Sequence, residues 1–239
     1  MTLMFDGHEF GELVVYGDPV ITMLPSTAVY VDAPSKQGLS VADVRYGGWT
    51  VAFTIVVDGT AHERRDKLST LGMWLDVDGP RRLVLPDTPD RYYMAVPEGQ
   101  LELTRGIQAE YGQLSFTVVE PAAYGDEHSI TVPSGGSVTF NVDGTYKAAP
   151  IITANATRNS SSLVWGLRLD EGDYLHIATG SASARAIVAD CGERTLSVNG
   201  SVAIPTLDSD WLELEPGVHT LRKDNGTGPA TVTWRDRWL

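Results

Sequence analysis

The feature that most limits what this chain can become is a period of two. Apolar residues recur at alternate positions in short runs: Val51, Phe53, Ile55 and Val57; Leu114, Phe116 and Val118; Val138, Phe140 and Val142; Leu163, Trp165, Leu167 and Leu169. Later runs end at Ile177 or comprise Leu196 and Val198, Leu212 and Leu214, and Ala230, Val232 and Trp234. Successive side chains of a strand point to opposite faces, so each run gives a strand with one face toward a core. Gly, Asp, Asn and Pro punctuate the runs, which predicts antiparallel sandwiches or barrels. Gly47-Gly48 and Gly135-Gly136 are read as hairpin turns.

One segment breaks the pattern. Thr60-Ala61-His62-Glu63 is a capping box, in which the threonine hydroxyl accepts from a backbone N–H and Glu63 reaches back. A helix is therefore expected from Thr60 to about Asp76. Leu68, Leu71 and Leu75 recur at helical spacing with Trp74 beside them, while Arg64, Arg65 and Lys67 are assigned to the exposed side. Asp78-Gly79-Pro80 stops it.

With 239 residues, one large or two ordinary domains are expected. The polar stretch from Pro121 to Glu127 separates two strand-rich halves, which sets domains of 1–125 and 126–239. Up to Tyr124 there are 9 basic and 17 acidic residues, and beyond it 9 and 14. Both halves are acidic, and the net charge of −13 argues against affinity-driven contact with nucleic acid, which needs clustered Lys and Arg. The first ten residues carry no basic segment followed by an apolar run, and no apolar stretch reaches about 18 residues, so neither a signal peptide nor a membrane span is expected. The single cysteine, Cys191, excludes an intramolecular disulfide and reads as a small buried hydrophobe.

Reaction chemistry is hard to find. His8, His62, His128, His176 and His219 lie far apart, without the i, i+4 pairing that places two imidazoles on one helical face for zinc. No nucleophile elbow, phosphate-binding loop or dinucleotide fingerprint occurs. Asp170, Glu171 and Asp173, close to Tyr174 and His176, suit an acid/base pair or a calcium loop less well than a tight turn between strands. Asp208-Ser209-Asp210 reads as a polar loop. Exposed aromatics on a sandwich can face sugar rings, and Trp165, Tyr174 and Trp211 are the candidates, with Trp234 beside them. No cofactor and no metal is expected.

The order of segments carries more information than any one of them. Leu39 to Thr60 leads into the capped helix; Arg64-Arg65-Asp66-Lys67-Leu68 and Leu71-Gly-Met-Trp-Leu75 follow, then Pro80-Arg-Arg-Leu-Val-Leu-Pro86 and Asp87-Thr-Pro-Asp-Arg-Tyr-Tyr-Met-Ala95. Phe116-Thr-Val-Val-Glu-Pro-Ala-Ala-Tyr124 closes the half. This order resembles the N-terminal domain of siphophage distal tail proteins. The second half, with Asn141 to Tyr146, Pro150-Ile-Ile-Thr, the hairpin Ile187 to Gly200, Ser209 to Gly217 and Trp234-Arg-Asp-Arg-Trp-Leu239, looks like that family's C-terminal domain.

The resemblance implies a mainly β protein of two domains. The first is a sandwich or barrel-like ring-forming domain with one α-helix, and the second a galectin-like β-sandwich. It implies a hexameric ring at the distal end of the virion tail, assembled in the host cytoplasm, through which DNA passes without specific binding. The implied partners are the tail-tube protein, a tail-associated tip protein and the tape-measure protein, with receptor-binding proteins on the C-terminal domain in some relatives. No catalytic residue belongs to the family pattern. A major tail-tube protein and a carbohydrate-binding β-sandwich protein are the competing readings.

Overall fold

The computed structural model describes residues 2–22, 26–32, 37–99, 101–106, 108–156, 164–178 and 185–239, and the statements below concern these. Leu163, counted above with the Trp165 run, lies outside them. The chain forms two compact units, Met1–Ala123 and Tyr124–Leu239.

The first unit begins with β1 (Met4–Phe5), β2 (His8–Glu9), a 3-10 turn at Phe10–Glu12, β3 (Val15–Tyr16) and β4 (Val20–Ile21). Then come β5 (Ser26–Asp32), β6 (Leu39–Tyr46), β7 (Trp49–Asp58), α1 (Ala61–Leu75), β8 (Arg81–Val84), β9 (Tyr93–Glu98), β10 (Leu103–Arg105) and β11 (Ala109–Val118). Nine strands make one sheet in the order β2-β1-β8-β9-β11-β7-β3, with β10 on β11 and β4 on β7. The β7–β11 pair runs in register from Trp49↔Val118 to Asp58↔Ala109. The alternation in β7 is complete: Val51, Phe53, Ile55 and Val57 are fully buried, and Phe116 and Val118 meet them from β11. Each such side chain contributes on the order of 2 kcal/mol by leaving water.

The helix starts where the capping box places it. The Glu63 amide donates to Thr60 Oγ1 at 3.3 Å, and the Thr60 amide to Glu63 Oε2 at 2.7 Å. Leu71 is fully buried in the core, with Leu68 and Leu75 packed against it, and Trp74 stacks on His8 at 4.6 Å. Arg64 departs from the amphipathic reading. It is buried, with its guanidinium donating to the Gly59 carbonyl at 2.5 Å and to Glu110 at 3.3 Å. A buried cation is tolerable only when so paired, and its carboxylate partner is 46 residues away.

Gly47-Gly48 does not close a hairpin. β6 pairs with β5, whereas β7 pairs with β3, β4 and β11, so the glycines pass the chain from one sheet to another. Gly135-Gly136 acts similarly: the Gly136 amide donates to the Pro133 carbonyl in a β-turn, but the flanking strands join different sheets.

The second unit contains β12 (Ala123–Val132), β13 (Ser137–Val142), β14 (Ile151–Ala156), β15 (Val164–Leu169), β16 (Tyr174–Ala178), β17 (Arg185–Asp190), β18 (Thr195–Val198), β19 (Ser201–Ala203), β20 (Gly217–Asn225) and β21 (Ala230–Trp238). They form a six-stranded sheet, β12-β21-β14-β17-β18-β19, and a four-stranded sheet, β13-β20-β15-β16. One core lies between the sheets, with Ile152, Ile187, Ala189 and Val232 from the first and Trp165, Leu167, Leu175 and Leu221 from the second. Cys191 is buried in this core. β18 and β19 are joined at Asn199-Gly200, both with positive φ (52° and 76°), the conformation a two-residue hairpin turn needs. The whole molecule is mainly β with a single α-helix among the described residues.

Candidate functional site

Each histidine has a structural occupation. His8 stacks on Trp74, and His62 is exposed beside Asp66 at 3.5 Å. His128 Nε2 meets Asp236 at 2.6 Å; the other oxygen of Asp236 accepts from the Asp143 amide and the Trp234 indole. His219 Nδ1 meets Asp170 at 2.8 Å, and Asp170 also accepts from the Thr220 amide. Burial opposes ionisation of that carboxyl, but these two bonds keep its pKa below the ordinary value. Asp170 has positive φ and sits in the Leu169–Asp173 turn between β15 and β16, the role expected for this acidic group.

His176 sits in the most constructed polar cluster of the second unit. Its Nδ1 is 2.9 Å from Asp208 and its Nε2 2.7 Å from Asp224. Gly166 on the paired strand β15 leaves room for the ring, since a Cβ there would run into it. The residue types Ser209, His176 and Asp208 suggest a nucleophile with its base. The geometry denies it: Ser209 Oγ donates to the His176 carbonyl and accepts from the His176 amide, and both ring nitrogens face carboxylates instead of the hydroxyl. Asp208 is drawn down to about 2 by the Thr206 hydroxyl, then by His176, so it stays an anion.

Lys223 is the remaining buried titratable group in this region. Its Nζ donates to the carbonyls of Asn225 at 2.5 Å and Gly166 at 3.1 Å, and lies 3.7 Å from the centre of the Trp165 ring. Burial lowers its pKa to about 7. Among the described residues no group of three or more His, Cys, Asp or Glu can hold a metal ion, and no helix is long and apolar enough to cross a membrane.

The sugar-facing aromatics are placed as follows. Trp165 is 0% exposed and roofed by Lys223, so its ring has no solvent face to offer. Tyr174 is half-buried, with the Arg168 guanidinium over its ring at 4.8 Å. Trp211 is half-buried and packs on the core, and Trp234 is a core residue. The structure does not gather them into one platform.

The arrangement that sequence reasoning missed lies in β5 and β6. Among the described residues these strands pair only with each other. Directly opposed residues share a face. The register Ser26↔Tyr46, Ala28↔Val44, Tyr30↔Val41 and Asp32↔Leu39 therefore puts Ala28, Tyr30, Leu39, Val41, Val44 and Tyr46 together. Ser26 and Asp32 end that face, and the other face carries Thr27, Val29, Val31, Ser40, Asp43 and Arg45, with Arg45 bonded to Asp43 at 2.6 Å. The apolar face is uncovered: Tyr30 is 59% exposed, Leu39 62%, Val41 58% and Val44 52%. The alternate positions 28 and 30 carried the signal, but only pairing reveals the shared face. In the same unit, a cleft of about 610 Å³ beside α1 is edged by Arg65 and Arg105 over Leu68 and Leu103.

Comparison with known proteins agrees with this architecture. The family described as siphovirus-type tail component, C-terminal domain, matches residues 143–238. The distal tail protein of Bacillus phage SPP1 is 27% identical over 188 residues, covering 76% of this chain and 72% of that protein. The crystal structure of SPP1 Dit, described as a paradigm of hub adsorption apparatus in phages infecting Gram-positive bacteria, superposes with a TM-score of 0.79 at 19% identity. It covers 100% of this chain and 99% of that one, showing a shared fold. Segment order, the C-terminal domain match and full-length fold agreement converge on a likeness to siphophage distal tail proteins.

Proposed function

We propose that this protein is the distal tail hub of a long-tailed bacteriophage or prophage, a structural component of the virion tail. It joins the tail tube to the tip as a hexameric ring, with DNA passing through its opening. The likeness to distal tail proteins supports the structural role. The observation that carries the assembly is the β5–β6 ribbon. An isolated two-stranded hairpin is marginal in water, and this one leaves six apolar or aromatic side chains on one uncovered face. A neighbouring copy in the ring is the occupant we assign to that face. A ring needs a heterologous contact whose rotation closes, and a ribbon laid on a different surface of the next copy provides one. The tail-tube protein, a tail-associated tip protein and the tape-measure protein are the expected neighbours, with assembly in the host cytoplasm.

The sugar-binding reading gains nothing from the structure, because Trp165 is enclosed and Tyr174 is already covered by Arg168. The test is mass photometry of purified chain over concentration, with the double variant Tyr30→Ser, Val44→Ser beside it. The parent should form a closed ring of six and the variant a monomer with the parent's melting temperature, since neither side chain is in the core. A parent that stays monomeric at high concentration, and is absent from the tail end of particles encoding it, sinks the hub reading.

A further inference from the structure

The three most exposed large apolar side chains among the described residues fall within six positions: Val202 at 93%, Ile204 at 84% and Leu207 at 109%. Single exposed apolar residues are ordinary, but a cluster of this kind marks an interaction site. Val202 is on β19, which is the edge of the six-stranded sheet, and Ile204 and Leu207 belong to the loop that follows.

That loop is held rigidly. The Thr206 amide and the Ser209 hydroxyl donate to the His176 carbonyl, the His176 amide donates to Ser209 Oγ, and the Asp210 amide donates to the Tyr174 carbonyl. Asp208 closes the set through Thr206 Oγ1 at 2.5 Å and His176 Nδ1 at 2.9 Å. A preorganised loop presents its tip without a large ordering entropy on binding. The polar cluster around His176, which has no catalytic geometry, thereby gains a purpose.

Charge selects the occupant. Asp208 and Asp210 follow the tip and are exposed, and no Lys or Arg occurs between Arg194 and Arg222. The same tip on a second copy is a poor fit, because it carries the same two carboxylates and the same lack of Lys and Arg. We propose that Val202, Ile204 and Leu207, framed by Asp208 and Asp210, form a docking surface for a different tail polypeptide, one that offers an apolar groove rimmed by Lys or Arg. This rests on the hub reading above and specifies one of its contacts. Buried apolar anchors inside a charged rim give affinity at the centre and orientation at the edge.

The test uses the full chain in assembled particles, with the photo-crosslinker benzoylphenylalanine in place of Leu207, and a control with it in place of Val218, which is 71% exposed on the other sheet. After irradiation, the 207 probe should capture one other virion polypeptide at a segment containing Lys or Arg, and the 218 probe should not. The double variant Ile204→Asp, Leu207→Asp should keep the melting temperature of the parent and reduce the amount of that polypeptide on particles at least about tenfold. Capture of the same chain, no capture, or unchanged particle composition overturns the proposal while leaving the hub reading standing. If the chain is missing from particles altogether, both fall.

Discussion

Lys223 and Cys191 are buried groups of the second unit whose titrations act on stability in opposite directions. Burial lowers Lys223 from 10.5 to about 7. Between those values the unfolded chain holds a proton that the folded one does not, so stability rises with pH. Burial raises Cys191 from 9.0 to about 12. There the folded chain keeps a proton that the unfolded one loses, so this contribution is complete below pH 9 and declines above it. Each slope is at most about 1.4 kcal/mol per pH unit. Urea melts should therefore show the second unit gaining stability from pH 7 to 9, then levelling. Lys223→Met should flatten the rise, and Cys191→Ala should remove the later loss. A parent flat between pH 7 and 9 contradicts the assignment. Cys191 was legible in the sequence as a buried small hydrophobe; Lys223, His176 and Arg64 were not. Each is held by groups distant in the chain, Asp224 and Asp208 for His176 and Glu110 for Arg64, and local spacing contains nothing about such partners. Trp165 misled for the same reason: a tryptophan in an alternating run shows which face it shares, not whether a lysine covers it.

At the scale of elements, local rules succeeded where the interaction was itself local. Thr60 and Glu63 are three residues apart, so the capping box set the start of α1. Leu71, at the centre of the helix's apolar spacing, is fully buried. Leu71→Asp should accordingly cost about 4 kcal/mol or more in urea melts, because it buries an unpaired carboxylate. A variant as stable as the parent would take the helix out of the core. Arg64→Ala should lose roughly 2–4 kcal/mol by removing one side of a buried ion pair. The glycine pairs show the converse limit. Gly47-Gly48 has the composition of a hairpin, yet β6 and β7 take partners in different sheets. Strand pairing is decided by distant segments, and no two-residue motif records it. The apolar ribbon face was missed on the same ground, since Tyr30 and Val41 become neighbours only through pairing.

At the scale of the molecule, two separately cored units lead to a prediction about assembly. Residues 124–239 hold a core of their own between two sheets, so the excised fragment should melt cooperatively as a monomer. The uncovered ribbon belongs to the other unit, so ring formation should need residues 1–123 and survive loss of the rest. Both halves are acidic, and like-charged subunits repel at low ionic strength. The ribbon contact we assign is mainly apolar and loses little on screening, whereas the repulsion is cut once the Debye length falls to about 8 Å at 0.15 M salt. Added salt should therefore shift the whole chain from monomer toward ring, and do the same for the N-terminal fragment. Native mass spectrometry from low to physiological salt, on the whole chain and both fragments, reads this directly. Dissociation on adding salt would mean that ion pairs hold the subunits together, and would move the interface away from the ribbon's apolar face. A ring formed by the C-terminal fragment alone would place it in the wrong unit.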